Sequence, residues 1–97
     1  MSLNRYAKQR DANEPEIVAE LKEIPGVSVE RLDQPCDLLV GYRGRTYLLE
    51  IKDPNRLNGS KDPLTDGQKK FIARWRGDPM RVVETAEEAL AVVLGDE

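Results

Sequence analysis

Apolar residues follow a helical spacing early in the chain, a strand spacing through its middle and a helical spacing again toward the end. Ile17, Val18, Leu21 and Ile24 form one stripe of an amphipathic helix. Asn13 suits its N-cap, Pro15 is tolerated in the first turn, and Glu16 takes the capping-box position. Pro25-Gly26 stops this helix. Val27 to Leu32 alternates as a strand, and Asp33-Gln34-Pro35 predicts a turn. Two further strands follow, Asp37 to Tyr42 and Tyr47 to Lys52, joined by Arg43-Gly44-Arg45. Asp53 to Pro63 has the composition of a mobile loop. Thr65 caps a second helix whose face carries Gln68, Phe71, Ile72 and Trp75, with Gly77 at its end. Trp75 continues that stripe, so core or interface fits it better than a base-stacking role. Met80 to Val83 is a short strand, and Thr85 with Glu88 opens a closing helix from Ala86 to Leu94. The predicted order is α-β-β-β-α-β-α, a single α/β domain over 13–97 with a mixed sheet flanked by helices. Residues 1–12 read as a flexible basic arm with Arg5, Lys8 and Arg10.

The charges within this pattern carry the chemistry. Glu14 precedes Ile17 by three positions and Val18 by four, which turns it inward at the head of the stripe, while Glu16, Glu20 and Glu23 share the wet face. Acidic residues in a first turn also complement the helix dipole, which suffices for Glu16. In the hairpin, a period of two sets Asp37, Leu39 and Gly41 on one face and Leu48, Glu50 and Lys52 on one face of the partner strand. A two-residue turn at Arg43-Gly44 places Asp37 opposite Glu50. A turn at Gly44-Arg45 places Asp37 opposite Lys52. An unbulged three-residue loop would separate Asp37 and Glu50 onto opposite faces. Two carboxylates buried together need a compensating cation.

Composition narrows the chemistry further. The 97 residues suit one small domain, with 39% hydrophobic and 34% charged residues. A core of this size is marginal, so self-association is expected. There is no histidine and one cysteine, Cys36. That excludes His-based catalysis, multi-Cys zinc sites and an internal disulfide. What remains is carboxylates, lysines and a hard cation on oxygen ligands. No apolar run approaches the length of a membrane span and no leader-like apolar segment opens the chain, so a cytoplasmic protein without a membrane partner is expected. Net charge is −3, yet Lys52 to Arg76 holds seven basic against three acidic residues, a net of +4 that leaves −7 for the rest. Such a segment can steer a phosphate backbone or simply be a solvated face.

A Mg²⁺ or Mn²⁺ ion at the hairpin end would take Asp37, Glu50 and the backbone carbonyl of Ile51 as ligands, with water completing its shell. Lys52 would then stabilise the developing phosphate charge, Glu14 would bind or orient a water, and Gln68 would position substrate or water. The plainer alternatives are a strand-end salt bridge from Lys52 to Asp37 or Glu50, and a capping role for Gln68.

The order of these parts resembles the PD-(D/E)XK nuclease superfamily, and its small VRR-NUC-like phage members in particular. The resemblance runs from Arg10 to Leu94 and is carried by four segments. They are Asp11-Ala12-Asn13-Glu14-Pro15-Glu16-Ile17, Cys36-Asp37-Leu38-Leu39-Val40-Gly41, Tyr47-Leu48-Leu49-Glu50-Ile51-Lys52, and Leu64-Thr65-Asp66-Gly67-Gln68 leading to Phe71 and Trp75. It implies a restriction-endonuclease-like fold and Mg²⁺-dependent hydrolysis of DNA phosphodiesters. Asp37 and Glu50 would be the metal ligands, Lys52 the catalytic lysine, and Glu14 and Gln68 the matching helix residues. It also implies a homodimer acting on branched or junction DNA in a phage-infected cell, with Arg56, Lys61, Lys69 and Lys70 expected on the DNA. One departure is visible: Cys36 stands where the family usually has Pro, with Pro35 one place earlier. Two other functions compete. One is a catalytically silent nucleic-acid-binding or regulatory subunit, and the other is a protein-interaction module using Trp75 and the last helix.

Overall fold

A computed structural model describes residues 11–54 and 64–95. Three helices and four strands follow one another as α1 (Glu14–Lys22), β1 (Ser28–Arg31), β2 (Leu38–Tyr42), β3 (Arg45–Ile51), α2 (Asp66–Arg74), β4 (Met80–Val83) and α3 (Ala86–Leu94). The order is the one the sequence predicts. The strands form one sheet in the order β1-β2-β3-β4, with β1, β2 and β3 antiparallel and β4 parallel to β3. The predicted mixed sheet is therefore present. Of the basic arm, only Asp11 and Ala12 belong to the described residues.

The core lies between one face of the sheet and the two outer helices. Ile17, Val18 and Leu21 from α1 and Ala89, Val92 and Val93 from α3 meet Leu38, Val40, Leu49, Ile51 and Val83. Full burial of a Leu, Ile or Val side chain stabilises by about 1.5–3 kcal/mol, so this cluster dominates the energetics. Glu50 alternates with the core-facing Leu49 and Ile51 and so looks to the other face.

The hairpin turn settles the open register. Tyr42 pairs with Arg45, leaving Arg43-Gly44 as a two-residue turn. Both turn residues have positive φ, 53° at Arg43 and 78° at Gly44. That is the primed turn whose twist matches the strands it joins, and glycine meets its demand without strain. The ladder then runs regularly to Leu38 opposite Leu49. The next step departs from it: the Asp37 N–H donates to the Leu49 carbonyl at 3.1 Å. β2 thus begins at Leu38 and not at Asp37 as the alternation predicts, and Asp37 is left at the strand's mouth.

Two local expectations are corrected. Asn13 stands at the N-cap of α1 but its side chain makes no capping bond. Its backbone there is already α-like, with φ −84° and ψ −5°, and the extended conformation typical of a side-chain N-cap is not adopted. The second correction concerns α2. It stops at Arg74, three residues short of Gly77, and Gln68 is its one buried residue. Ile72 and Trp75 each keep 41% of their surface exposed, so the predicted stripe is not core. The α2 cap holds, with Thr65 and Gln68 in a reciprocal box. At α3 half of the expected Thr85–Glu88 box forms: the Glu88 N–H donates to Thr85 Oγ1 at 3.0 Å, while the Glu88 carboxylate accepts the Glu84 N–H at 2.7 Å and not that of Thr85.

Candidate functional site

Asp37 and Glu50 are both buried, at 4% and 3% exposure, at the same end of the β2–β3 hairpin. Asp37 reaches this position because the chain has just left the turn at Pro35, and its carboxylate Oδ2 accepts the Ile51 N–H at 2.6 Å. This bond reaches the peptide that links Glu50 to Ile51. Lys52 follows at the end of β3, where its N–H donates to the Val83 carbonyl at 3.0 Å. Its Nζ lies 3.3 Å from Glu50 Oε2. The strand-end ion pair anticipated as the plain alternative is therefore formed, with Glu50 as the partner.

A cleft of about 360 Å³ opens at this point. Glu50 and Lys52 line it from the sheet, Pro35 from the turn, and Gln68, Phe71 and Arg74 from α2. Gln68 is held on both sides of its amide. Nε2 donates to the Pro35 carbonyl at 2.9 Å, and Oε1 accepts the Thr65 N–H at 3.0 Å. Capping and inward direction, posed as alternatives by the sequence, are both satisfied by the one side chain.

Glu14 is buried to 1% exposure, as its inward position predicts. Its Oε2 lies 3.0 Å from Arg31 Nε, at the end of β1 beside Leu38. It belongs to the same end of the sheet as Asp37 but does not line the cleft, and neither does Asp37. Asn13 ties α1 to this end by donating Nδ2 to the carbonyls of Lys52 and Glu84, at 3.1 and 2.8 Å.

The expected nucleic-acid contacts divide. Arg56 and Lys61 lie outside the described residues. Lys69 and Lys70 are exposed on α2 away from the cleft. The cation that α2 gives to the cleft is Arg74, which is not among the four expected DNA contacts. Its position was signalled by spacing: Arg74 follows Phe71 at an interval of three, close to one helical turn. Cys36 is fully buried and its Sγ donates to the Leu38 carbonyl at 3.6 Å, which keeps the thiol out of the cleft.

Among the described residues no group of three or more carboxylate or thiol side chains converges as a metal cage. Two buried carboxylates at one end of the hairpin nevertheless suit a hard divalent cation. Mg²⁺ commonly takes one or two protein carboxylates and keeps several waters, so a third side chain is not required. The remaining donors here are backbone and amide oxygens, also hard. The chain matches no family model, no curated protein and no solved structure.

Proposed function

We propose that the chain is a divalent-metal-dependent deoxyribonuclease of the PD-(D/E)XK kind, cutting phosphodiester bonds in branched or otherwise structured DNA. The observation that carries this reading is buried Asp37 and buried Glu50 at one end of the β2–β3 hairpin, with Glu50 and the half-buried Lys52 lining the cleft there and Lys52 Nζ 3.3 Å from Glu50 Oε2. Asp37 and Glu50 would hold Mg²⁺ or Mn²⁺ together with the Ile51 carbonyl. When bound, such an ion supplies Lewis acidity toward a phosphoryl oxygen and lowers the pKa of its water.

The chain's own residues do the rest. Lys52 sits beside the scissile phosphate's place, and its ammonium stabilises charge that develops on the phosphoryl oxygens. Arg74 faces the same cleft and neutralises a neighbouring phosphate. Gln68 and Glu14 act as positioning residues. Gln68 fixes the turn that delivers Asp37, and Glu14 anchors Arg31 at the adjoining strand. A chain of this size offers little surface for reading base sequence, so recognition through backbone and shape follows. A homodimer would set two such clefts across a symmetric branch.

One observation favours a second reading, a catalytically silent nucleic-acid-binding or regulatory subunit. Lys52 already neutralises Glu50 within the protein. Incubation of plasmid and four-way-junction DNA with Mg²⁺, Mn²⁺ or EDTA separates the two. The nuclease nicks with either cation and not with EDTA, and Lys52→Ala lowers the rate by about 10²–10³. Wild type and Lys52→Ala equally inert with every cation would leave the silent subunit as the surviving function.

A further inference from the structure

We infer that the Phe71–Trp75 ring pair beside the cleft, half-buried at Phe71 and exposed at Trp75, is a stacking platform for a nucleobase in an unpaired strand. This names a substrate class for the proposed nuclease and rests on that proposal. The two rings lie 5.1 Å apart between centroids and 25° from parallel. Phe71 lines the cleft with Glu50, Lys52 and Arg74, while Trp75 carries the stack outward, with 41% of its surface open to solvent.

The indole is held in one pose although it is not in the core. Its Nε1–H donates to the Asp78 carbonyl at 2.7 Å. Gly77 lies directly against it: a Cβ there would come within 2.8 Å of the indole carbons Cζ2 and Cε2. Arg74 lies over the Phe71 ring at 5.4 Å. Asp78 is itself fixed by Arg45, whose Nη2 lies 2.9 Å from Oδ1. That carboxylate's hydrogen bond and charge hold the Arg45 guanidinium above its ordinary pKa. Ordering a large aromatic at the surface costs side-chain entropy that core burial does not offset here. A flat ligand stacked on it would.

The chemistry around the rings identifies that ligand. Arg74 both covers Phe71 and lines the cleft, and Arg76 is exposed next to Trp75 in the chain. A nucleotide presents a π face to the rings and an anion to the cations. A second copy of this chain is the poorer occupant. A two-fold contact through this face would set Arg74 and Arg76 against the same residues of its mate. Bases inside a duplex have both faces covered by stacking, so the ligand is an unpaired nucleotide, as in a flap, a branch or a single strand.

Trp75 is the chain's one tryptophan, so its emission reports the platform directly. The full chain in EDTA is titrated with a short oligothymidylate and with an abasic strand of equal length and charge. The base-bearing strand quenches Trp75 emission to saturation, and the abasic strand binds roughly tenfold more weakly without quenching. In anisotropy measurements with labelled strands, Trp75→Leu and Gly77→Ala lose about the same tenfold factor and Trp75→Tyr keeps most of the affinity. Equal affinity for the two strands, or an unchanged Trp75→Leu, overturns the platform. So does concentration-dependent dimerisation that Trp75→Leu abolishes without any base-dependent quench, which would give this face to a second copy. EDTA keeps cleavage out of the measurement. Base-dependent quenching in a chain that cuts no DNA would therefore sink the nuclease and leave the platform. Cleavage without base-dependent quenching would do the reverse.

Discussion

The amide of Asn13 joins three segments that are far apart in sequence. Its two N–H bonds reach the carbonyls that end β3 and β4, at Lys52 and Glu84. At an ordinary N-cap, Asp serves as well as Asn and also complements the helix dipole. Here a carboxylate would face two carbonyl oxygens and donate to neither. Asn13→Asp is therefore expected to lower stability by about 1–3 kcal/mol, read from the urea midpoint at pH 7. An unchanged midpoint would return Asn13 to a capping role. Side-chain direction was the most legible feature at this scale. Period two placed Glu50 and Lys52 together, and helical spacing turned Glu14 inward. The actual partners were not legible. Asp37 bonds the Ile51 N–H at the point where the ladder leaves its register, and no local pattern announces that.

Among the elements, α2 shows what local chemistry decides and what it leaves open. Thr65 and Gln68 specify its start because a capping box is a bond between residues three apart. Its burial depends on what lies opposite, and the sheet offers a cleft there and no apolar layer. Phe71, Ile72 and Trp75 consequently stay wholly or partly exposed despite a helical stripe. The element is attached to the turn before β2 through Gln68 Nε2 and the Pro35 carbonyl. Gln68→Glu separates the two roles of this residue. Glu preserves the capping box but has no donor for Pro35, so α2 should remain helical while its docking weakens. The expected loss is about 1–3 kcal/mol, with faster hydrogen exchange at α2 amides and unchanged exchange in α1 and α3. Global destabilisation without local exchange would show that α2 is not held this way. The hairpin carried a similar ambiguity: Gly44 satisfies either candidate turn. What selects Arg43-Gly44 is a left-handed Arg43, which the sequence does not advertise.

At the scale of the whole molecule, one sheet end collects the pieces. The turn at Pro35 brings Asp37, β3 brings Glu50 and Lys52, and α1 ties in through Asn13 and Glu14. Asp37 and Glu50 lie on different strands and are brought together by folding, so a cation held by both binds the native state alone. Linkage then converts binding into stability: a tenfold excess of Mg²⁺ over its Kd adds about 1.4 kcal/mol. For a domain of this size that raises Tm by roughly 5–11 °C. Glu50→Gln removes a charged ligand and should abolish the shift. Lys52→Ala removes the cation 3.3 Å from Glu50, so it should retain or enlarge the shift while losing activity. This pairing separates metal holding from catalysis without relying on cleavage. Thermal scans with Mg²⁺, Mn²⁺ and EDTA read it directly. A wild-type Tm indifferent to both cations would remove the metal site. In that case the Glu50–Lys52 bridge would be a structural pair, and Lys52→Ala would lower Tm equally in every buffer, because a carboxylate at 3% exposure would lose the ammonium 3.3 Å away.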